Sequence, residues 1–260
     1  ATVVSIGLLI ALVIDAALII ALIARIVQRR PTSTERRNSW WWRLPVVALI
    51  AIVVVGLIAR LVAVQHLAYP VWVDSPHHDL VAQLLAEAGR VPEDYGTLMP
   101  VSAFTYHFGF HTLAVAYAWL TGLERSDAIL LLGQVLNALM PLSAYAFALW
   151  TTRRSWVAVG AAAIVGLVSL FPGYYVSWGR YTQLTGLVIL GPLLGLLAAS
   201  SDHPGWDRRA AGQSVWIGVL AAGLVYAHYR VLAFALTFAL ALIIVSRRLP
   251  WRIWLASSGI

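Results

Sequence analysis

Residues 44–65 read LPVVALIAIVVVGLIARLVAVQ and contain one charged side chain, that of Arg60. An α-helix rises about 1.5 Å per residue, so an apolar run of this length reaches across the roughly 30 Å hydrocarbon core of a bilayer. The whole chain has the same character, since 61% of its residues are hydrophobic and 11% are charged, whereas soluble domains contain roughly a quarter charged residues. The sequence therefore predicts an integral membrane protein.

Further apolar runs predict an all-α, polytopic transmembrane helix bundle that forms a single domain over residues 1–260. About seven spans are expected, near residues 3–27, 44–65, 128–150, 156–172, 183–200, 213–228 and 231–246. The run 104–122 is also long enough to span, but its length alone does not assign it. The chain begins with Ala and ends soon after a basic stretch, so we expect it to be truncated at both ends.

The basic residues predict the orientation of the spans. All 18 cations are arginines, and most lie in short clusters between apolar runs, as in the cytoplasmic loops of membrane proteins. Such clusters argue against a nucleic-acid-binding surface. If 104–122 lies on the membrane surface, 13 of the 18 arginines fall on the inner side. If it spans, the pairs at 153–154, 208–209 and 247–248 fall outside. We therefore expect residues 66–127 to form a long outer loop that carries surface helices.

The stretch 73–80, VDSPHHDL, places two carboxylates and two imidazoles in this outer loop. Asp74 precedes a predicted helix over Pro76–Glu87, so Asp74 or Ser75 is expected to cap its first turn. A carboxylate can also accept a proton from an attacking hydroxyl when its surroundings tune its pKa. Asp74 is thus a candidate general base as well as a cap, and Asp79 is a candidate substrate-binding residue.

Four histidines lie in the same loop: His77, His78, His107 and His111. His107 and His111 are expected to share one helix face, although HFGFH lacks the glutamate of the HExxH zinc motif. Asp74 or Asp79 could complete a site for a divalent cation, with His78, His107 and His111 as the other candidate ligands. The alternative is that the imidazoles form hydrogen bonds at the interface or contact an anionic substrate. The chain has no cysteine, which excludes a thiolate site.

Most arginines are predicted to lie on the cytoplasmic side, but Arg180 and Arg230 lie in predicted outer turns. Aromatic residues and a histidine flank them: Trp178, Tyr181, His228 and Tyr229. A guanidinium in such a turn can bind a phosphate through two parallel hydrogen bonds. Alternatively, these side chains extend to lipid headgroups.

The order of these features resembles the GT-C superfamily of membrane glycosyltransferases, with its protein O-mannosyltransferase and aminoarabinose-transferase branches. Over roughly residues 44–200, a span leads into a long outer loop that opens with an acidic residue, here Asp74. A helix that ends near a glycine follows, here Ala82–Gly89. A second surface helix begins in Phe104–His111 and ends at Leu120-Thr121-Gly122-Leu123. Ser75 stands where the family often has glutamate, and the span 3–27 is an addition.

The resemblance implies transfer of a sugar from a polyprenyl-phosphate donor to a glycan, lipid or protein acceptor on the extracytoplasmic face. It implies that Asp74 is the base and that Arg180, Arg230 and His228 neutralise the lipid phosphate. His77, His78, His107 and His111 would line the pocket or hold a cation, and Trp178 and Tyr181 would stack on the sugar or lie at the interface. Arginine use without lysine is typical of a GC-rich bacterium, so the plasma membrane is the expected location.

Two other functions fit the same sequence. The first is a transporter or flippase of lipid-linked substrates, although such proteins place polar groups near the bilayer midplane on broken helices. The second is a metal-dependent membrane enzyme that uses the histidines. The predicted clustering of polar residues at one membrane face favours chemistry at that face.

Overall fold

The computed structural model describes residues 44–96, 98–101, 103–104, 106–201, 207–245, 255–256 and 258. Within these residues every regular element is helical, which confirms the all-α prediction. The main elements are α1 (Leu44–Val64), α2 (Asp74–Ala88), α3 (Gly109–Thr121), α4 (Arg125–Thr152), α5 (Ser155–Ala163), the π-helical turn π1 (Ile164–Val168), α6 (Phe171–Ser177), α7 (Tyr181–Ser201), α8 (Arg208–Ala227) and α9 (Tyr229–Val245). The predicted span 3–27 lies outside the described residues.

Five helices in the described part of the chain are long and apolar enough to cross a membrane. They are Leu44–Val64, Arg125–Thr152, Ser155–Ser177, Tyr181–Ser201 and Ala210–Ala227. α9 is also apolar but has 17 residues, which is about 25 Å of helix. These helices suggest an integral membrane protein, with α1, α4, α5–α6, α7 and α8 as candidate spans.

The predicted span 156–172 is not one continuous α-helix. α5 ends at Ala163, the π-helical turn follows, and the backbone of Ser169 is extended before α6 begins. Gly166 lies against the ring of Pro141 in α4, so that a Cβ there would come within 2.6 Å of the ring. Pro172 lies in the first turn of α6, where the missing N–H of a proline costs no hydrogen bond.

α2 and α3 are short helices beside the bundle. They have 15 and 13 residues, so α3 is about 20 Å long, less than the thickness of the hydrocarbon core. Gly89 and Gly122 end the two helices in the left-handed conformation, at φ of 62° and 69°. The segment 104–122 therefore does not form a spanning helix, and both glycine-terminated helices lie where the sequence predicted them.

The centre of the bundle is the contact between α4 and α7, which pack along much of their length. Ser143 in α4 donates a hydrogen bond to the carbonyl of Leu187 at 2.9 Å and accepts one from the Gly191 N–H at 3.1 Å. Gly191 allows this approach, because a Cβ there would collide with Ser143. Small residues bring membrane helices close together in this way.

At one end of the bundle, α2 and α3 pack against the first turns of α4 and α7. Phe110 of α3 stacks on Tyr181 of α7, with ring centroids 5.2 Å apart, and both side chains are fully buried. Gly133 in α4 makes room for the Tyr181 ring, since a Cβ would overlap it. The connections α6–α7 and α8–α9 reach the same end, where polar residues gather.

Candidate functional site

A pocket of about 370 Å³ opens at this end of the bundle. Four separate chain segments supply its lining. The lining residues are Asp74, His78, Tyr106, His107, Arg180, Thr182, Gln183, His228, Tyr229 and Arg230. The structure therefore brings together six residues that the sequence singled out as base, anion-binding or pocket-lining candidates: Asp74, His78, His107, Arg180, His228 and Arg230.

Asp74 is the first residue of α2 and its side chain is exposed. The predicted capping role is wrong, because the residue at the cap position is Val73 and no side-chain capping bond forms there. The carboxylate instead lies in the first turn, where the positive end of the helix dipole stabilises an anion. Asp74 is thus an accessible carboxylate at the edge of the pocket.

The chain before α2 is held against the chain after α6. Trp72 has a φ of 78°, which is rare for a bulky side chain and needs support from its surroundings. That support includes Trp178, whose ring stacks on Trp72 with centroids 5.8 Å apart and planes 8° apart. Ser75 donates a hydrogen bond to the carbonyl of Val71 at 2.5 Å. These contacts fix the entry into α2 and therefore the position of Asp74.

The turn Gly179–Arg180 fits closely into this arrangement. Gly179 has a φ of 64°, and a Cβ at this position would lie 2.9 Å from the Ser75 hydroxyl and 3.3 Å from the Val71 carbonyl. The N–H of Arg180 donates to the carbonyl of Tyr175 at 2.8 Å. The Arg180 guanidinium then lies over the Trp178 ring, 4.8 Å from its centroid, and also lines the pocket.

His78 connects the pocket to the interior. Its Nε2 lies 2.7 Å from the carbonyl oxygen of Gly179, and its Nδ1 lies 2.9 Å from Nε2 of His111. Burial lowers the pKa of His78 to about 4, although the bond to Gly179 opposes the shift. Burial, and then the nearby His78, hold the pKa of His111 well below its usual range. Both rings are therefore neutral at pH 7.

His107 and His228 form the opposite wall, with ring centroids 4.5 Å apart. Gly109 makes this contact possible, because a Cβ there would lie 3.0 Å from the backbone of Tyr226 at the end of α8. The pKa of both imidazoles is lowered to about 4, mainly by burial; the nearby His228 also lowers that of His107, and the charge of Arg230 contributes to both. His107 Nε2 and His228 Nδ1 are buried and have no hydrogen-bond partner in the described part of the protein.

The remaining predicted site residues lie beside the pocket lining. His77 is half-buried and meets the Tyr106 ring edge to face, at 4.8 Å. Tyr181 and His111 are fully buried, so the prediction that they contact substrate directly needs correction, since a buried ring can act only through its neighbours. Trp178 contacts Arg180 rather than the pocket. Asp79 forms a two-pronged ion pair with the guanidinium of Arg125, at 2.6 and 3.2 Å.

The predicted cation site has no support from the geometry of the described residues, among which no group of three or more His, Asp or Glu side chains is arranged to hold a metal ion. His107 and His111 do not share a helix face as predicted. α3 begins at Gly109, so His107 precedes the helix and contacts His228, while His111 turns inward to His78.

Three lining residues have no counterpart among the sequence predictions: Tyr106, Thr182 and Gln183. Tyr106 precedes His107 and its ring stacks on that imidazole at 4.1 Å. Thr182 and Gln183 lie in the first turn of α7, which begins at Tyr181 directly after Arg180. The sequence indicated these three residues only through their closeness to the predicted site residues His107 and Arg180. Tyr229, which the sequence placed only as a neighbour of Arg230, also lines the pocket.

No family model, curated protein or solved structure matches this chain. The resemblance to the GT-C superfamily therefore depends on the residues and the order of elements described above.

Proposed function

We propose that this protein is a membrane glycosyltransferase that moves a sugar from a polyprenyl-phosphate donor to a hydroxyl group of an acceptor. The observation that carries the proposal is the pocket shared by Asp74, Arg180 and Arg230 at one end of an apolar helix bundle. A carboxylate can accept a proton, and two guanidiniums can bind an anion. Transfer from a sugar phosphate requires both tasks in one place.

In the proposed reaction, the acceptor oxygen attacks the anomeric carbon of the sugar and forms the new glycosidic bond. The bond between that carbon and the phosphate oxygen breaks, and its electron pair goes to the phosphate. Asp74 accepts the proton of the acceptor hydroxyl. The polyprenyl phosphate leaves as an anion, whose growing charge Arg180 and Arg230 stabilise.

The imidazoles of His107 and His228 support an anion at this position. Buried polar atoms in proteins nearly always have hydrogen-bond partners, yet His107 Nε2 and His228 Nδ1 have none in the described structure. The two rings are in contact, with centroids 4.5 Å apart, so a phosphate oxygen would reach these nitrogens from the pocket side, after a shift of the side chains that cover them. Neutral imidazoles can supply these bonds without adding charge to a pocket that already contains two guanidiniums.

The pocket's position in the bundle suits a lipid-linked donor. A polyprenyl chain can lie along the apolar helices while its phosphate reaches the pocket at their ends. Arg153, Arg154 and Arg208 lie at the other ends of these helices, and the positive-inside rule assigns arginine-rich ends to the cytoplasm. On this basis the pocket opens on the extracytoplasmic face, and in a bacterium on the outer side of the plasma membrane.

A flippase or transporter of lipid-linked substrates is the alternative. The interruption at π1 and Ser169 is the feature that favours it, because transporters use broken helices at their binding sites. That break lies among apolar residues, however, whereas the polar lining lies at one end of the bundle. The location of the polar groups favours transfer.

The test is sugar transfer by the purified chain in lipid nanodiscs. A panel of polyprenyl-phosphate sugars labelled in the sugar is offered with glycan, lipid and peptide acceptors, and both transferred label and released polyprenyl phosphate are measured. Asp74→Asn is expected to reduce turnover by about 10²- to 10⁴-fold, the usual contribution of a general base. Glu93→Gln is the matched control, because Glu93 is an exposed carboxylate of the same loop.

Equal turnover of Asp74→Asn and the unmodified chain would contradict the assignment of the base. Absence of transfer from every donor, together with movement of labelled donor between the leaflets of sealed proteoliposomes, would favour the flippase instead.

A further inference from the structure

His111 is a fully buried histidine that the proposed reaction does not use. It lies in α3, where its Nε2 is 2.9 Å from Nδ1 of His78 and its ring meets that of Tyr106 edge to face at 5.7 Å. We propose that His111 is a positioning residue, which sets the tautomer of His78 and so holds the Gly179–Arg180 turn with Arg180 in the pocket. The effect on sugar transfer rests on the proposed function, but the hydrogen-bond chain itself does not.

The direction of each hydrogen bond follows from the Gly179 carbonyl. A carbonyl oxygen can only accept, so Nε2 of His78 carries a proton and donates it to Gly179 at 2.7 Å. A neutral imidazole has a single N–H, so Nδ1 of His78 must accept. Nε2 of His111, 2.9 Å away, is then the donor. Both rings are fixed as the Nε2–H tautomer.

The opposite direction would require a charge in the interior. The carbonyl of His107 lies near the His111 ring, and an Nδ1–H on His111 could point toward it. His111 Nε2 would then accept, and His78 would need protons on both nitrogens. His78 and His111 are 1% and 0% exposed, so an imidazolium there would lose most of its hydration. The low pKa of His78, about 4, agrees with a neutral ring.

The series of hydrogen bonds from His111 through His78 ends at the carbonyl of Gly179, in the peptide that precedes Arg180. Gly179 is in the left-handed conformation with no room for a side chain, and its N–H donates to the carbonyl of Val176 at 3.1 Å. The His78 bond fixes its carbonyl, and the Tyr175 carbonyl fixes the N–H of Arg180 at 2.8 Å. Without the His78 bond, the Arg180 N–H alone holds the peptide between Gly179 and Arg180, so we expect this peptide to tilt and the guanidinium to shift relative to Trp178 and the pocket.

The unpartnered Nδ1 of His111 fits this role. A leucine or phenylalanine would fill the same space in α3 without burying an unsatisfied acceptor, which is costly. The donor at Nε2 is the property that such a side chain lacks.

The first experiment reads the tautomers directly, by NMR of the full chain in detergent micelles with ¹⁵N-labelled histidine. His78→Gln and His111→Gln assign the two signals. We expect both rings to carry the proton on Nε2 at pH 7 and to keep a bare Nδ1. A proton on Nδ1 of either ring would overturn the proposal.

The second experiment separates hydrogen bonding from packing by comparing glutamine with leucine, which have similar sizes, at positions 78 and 111. The amide nitrogen of Gln can take the place of the Nε2 donor, and Leu cannot donate. Two readouts are used: the ¹⁵Nε signal of Arg180, assigned with Arg180→Lys, and the affinity for inorganic phosphate. His66→Gln is the control, because His66 is exposed and lies outside the pocket.

Both Leu variants are expected to shift the Arg180 signal and to weaken phosphate binding about tenfold, the usual effect of losing one buried hydrogen bond. His111→Gln is expected to stay within about twofold of the unmodified chain. Equal behaviour of Leu and Gln in the Arg180 signal would overturn the proposal, whether or not phosphate binds.

The two proposals fail differently. Transfer activity together with an Nδ1–H tautomer at His78 or His111 would contradict the positioning role but support the glycosyltransferase proposal. A second outcome is that no donor supports transfer, although the tautomers and the difference between the Leu and Gln variants are as expected. It would support the positioning role and contradict the glycosyltransferase proposal.

Discussion

The guanidinium carbon of Arg180 lies 4.8 Å from the centroid of the Trp178 ring. Trp178 in turn stacks almost parallel on Trp72, so Arg180 rests on a platform of two indoles. A guanidinium is planar and stacks well on such a surface, whereas an ammonium is compact and strongly hydrated. Arg180 therefore depends on its shape as well as its charge.

Arg180→Lys is expected to weaken the binding of inorganic phosphate by about tenfold, because both the stacking and the two-pronged hydrogen bond are lost while the charge remains. Isothermal titration calorimetry in nanodiscs measures this affinity. Arg90→Lys is the matched control, since Arg90 is exposed and pairs with Glu93 at the surface. Equal affinity of Arg180→Lys and Arg90→Lys would show that the charge alone is sufficient.

Gly179→Ala is expected to destabilise the protein more than Gly89→Ala. Both glycines have positive φ, 64° and 62°, and share the cost of placing a Cβ in that conformation. Only the Gly179 Cβ would also collide with Ser75 and Val71; at Gly89 the space is open. Thermal unfolding in detergent should show a loss of about 1 kcal/mol for Gly89→Ala and a clearly larger loss for Gly179→Ala. Similar losses would contradict the close contact between this turn and the start of α2.

The stability of the protein is expected to fall as the pH falls from about 6.5 to about 4. The pKa values of His78, His107 and His228 are lowered to about 4 in the folded protein, while an unfolded chain binds protons near its ordinary histidine value of about 6.5. In that window the unfolded state binds more protons, so acid favours unfolding. Thermal unfolding measured at several pH values tests this sign.

The ionisable groups that face these rings are Asp74, His77, His111, Arg180 and Arg230. His78→Gln removes one titrating ring and should make the pH dependence shallower. His66→Gln should leave it unchanged, because His66 is exposed. A stability that rises on acidification would contradict neutral buried imidazoles.

The pair Asp79–Arg125 is expected to stabilise the fold without contributing to the pocket. Its side chains are 21% and 34% exposed, so a coupling of about 0.5–1.5 kcal/mol is expected for this two-pronged geometry. A double-mutant cycle with Asp79→Asn and Arg125→Gln, read by thermal unfolding, measures that coupling. Phosphate affinity should not change in either single variant. A large loss of phosphate affinity in Asp79→Asn alone would indicate that Asp79 is a substrate-binding residue.

The two ends of α4 are expected to lie on opposite sides of the membrane, with Ser126 outside and Thr152 inside. The chain has no cysteine, so Ser126→Cys and Thr152→Cys each introduce one reactive thiol. A membrane-impermeant maleimide added to intact cells should label the first and not the second. Labelling of Thr152→Cys alone would invert the proposed orientation and place the pocket in the cytoplasm.

Hydropathy and charge were sufficient to predict which end of the bundle is polar. A span must be apolar throughout its length, so residues such as Arg180 and His228 could be assigned to turns, and alternating spans brought those turns to the same end. Gly89 and Gly122 also lie at the ends of α2 and α3, as the family resemblance implied, and both adopt the left-handed backbone conformation that glycine favours at a helix end.

Side-chain directions could not be predicted in the same way. The spacing of His107 and His111 implied a shared helix face, but α3 begins between them, at Gly109, because the chain there packs against the backbone of Tyr226. Asp74 entered the first turn of α2 instead of capping it, since Trp72 and Ser75 already determine the local backbone. Such outcomes depend on contacts between residues far apart in the sequence, which a local pattern does not contain.

The pocket's four segments are spread along the chain, from Asp74 to Arg230. At 5–20 residues per second, the ribosome makes Arg230 roughly 10 to 30 seconds after Asp74. Until α8 and α9 enter the membrane, His107 lacks His228 beside it and the pocket lacks one of its two arginines. The site is therefore complete only after the last of its four segments is made, and a partly inserted chain carries an acidic residue and one guanidinium without the wall that encloses them.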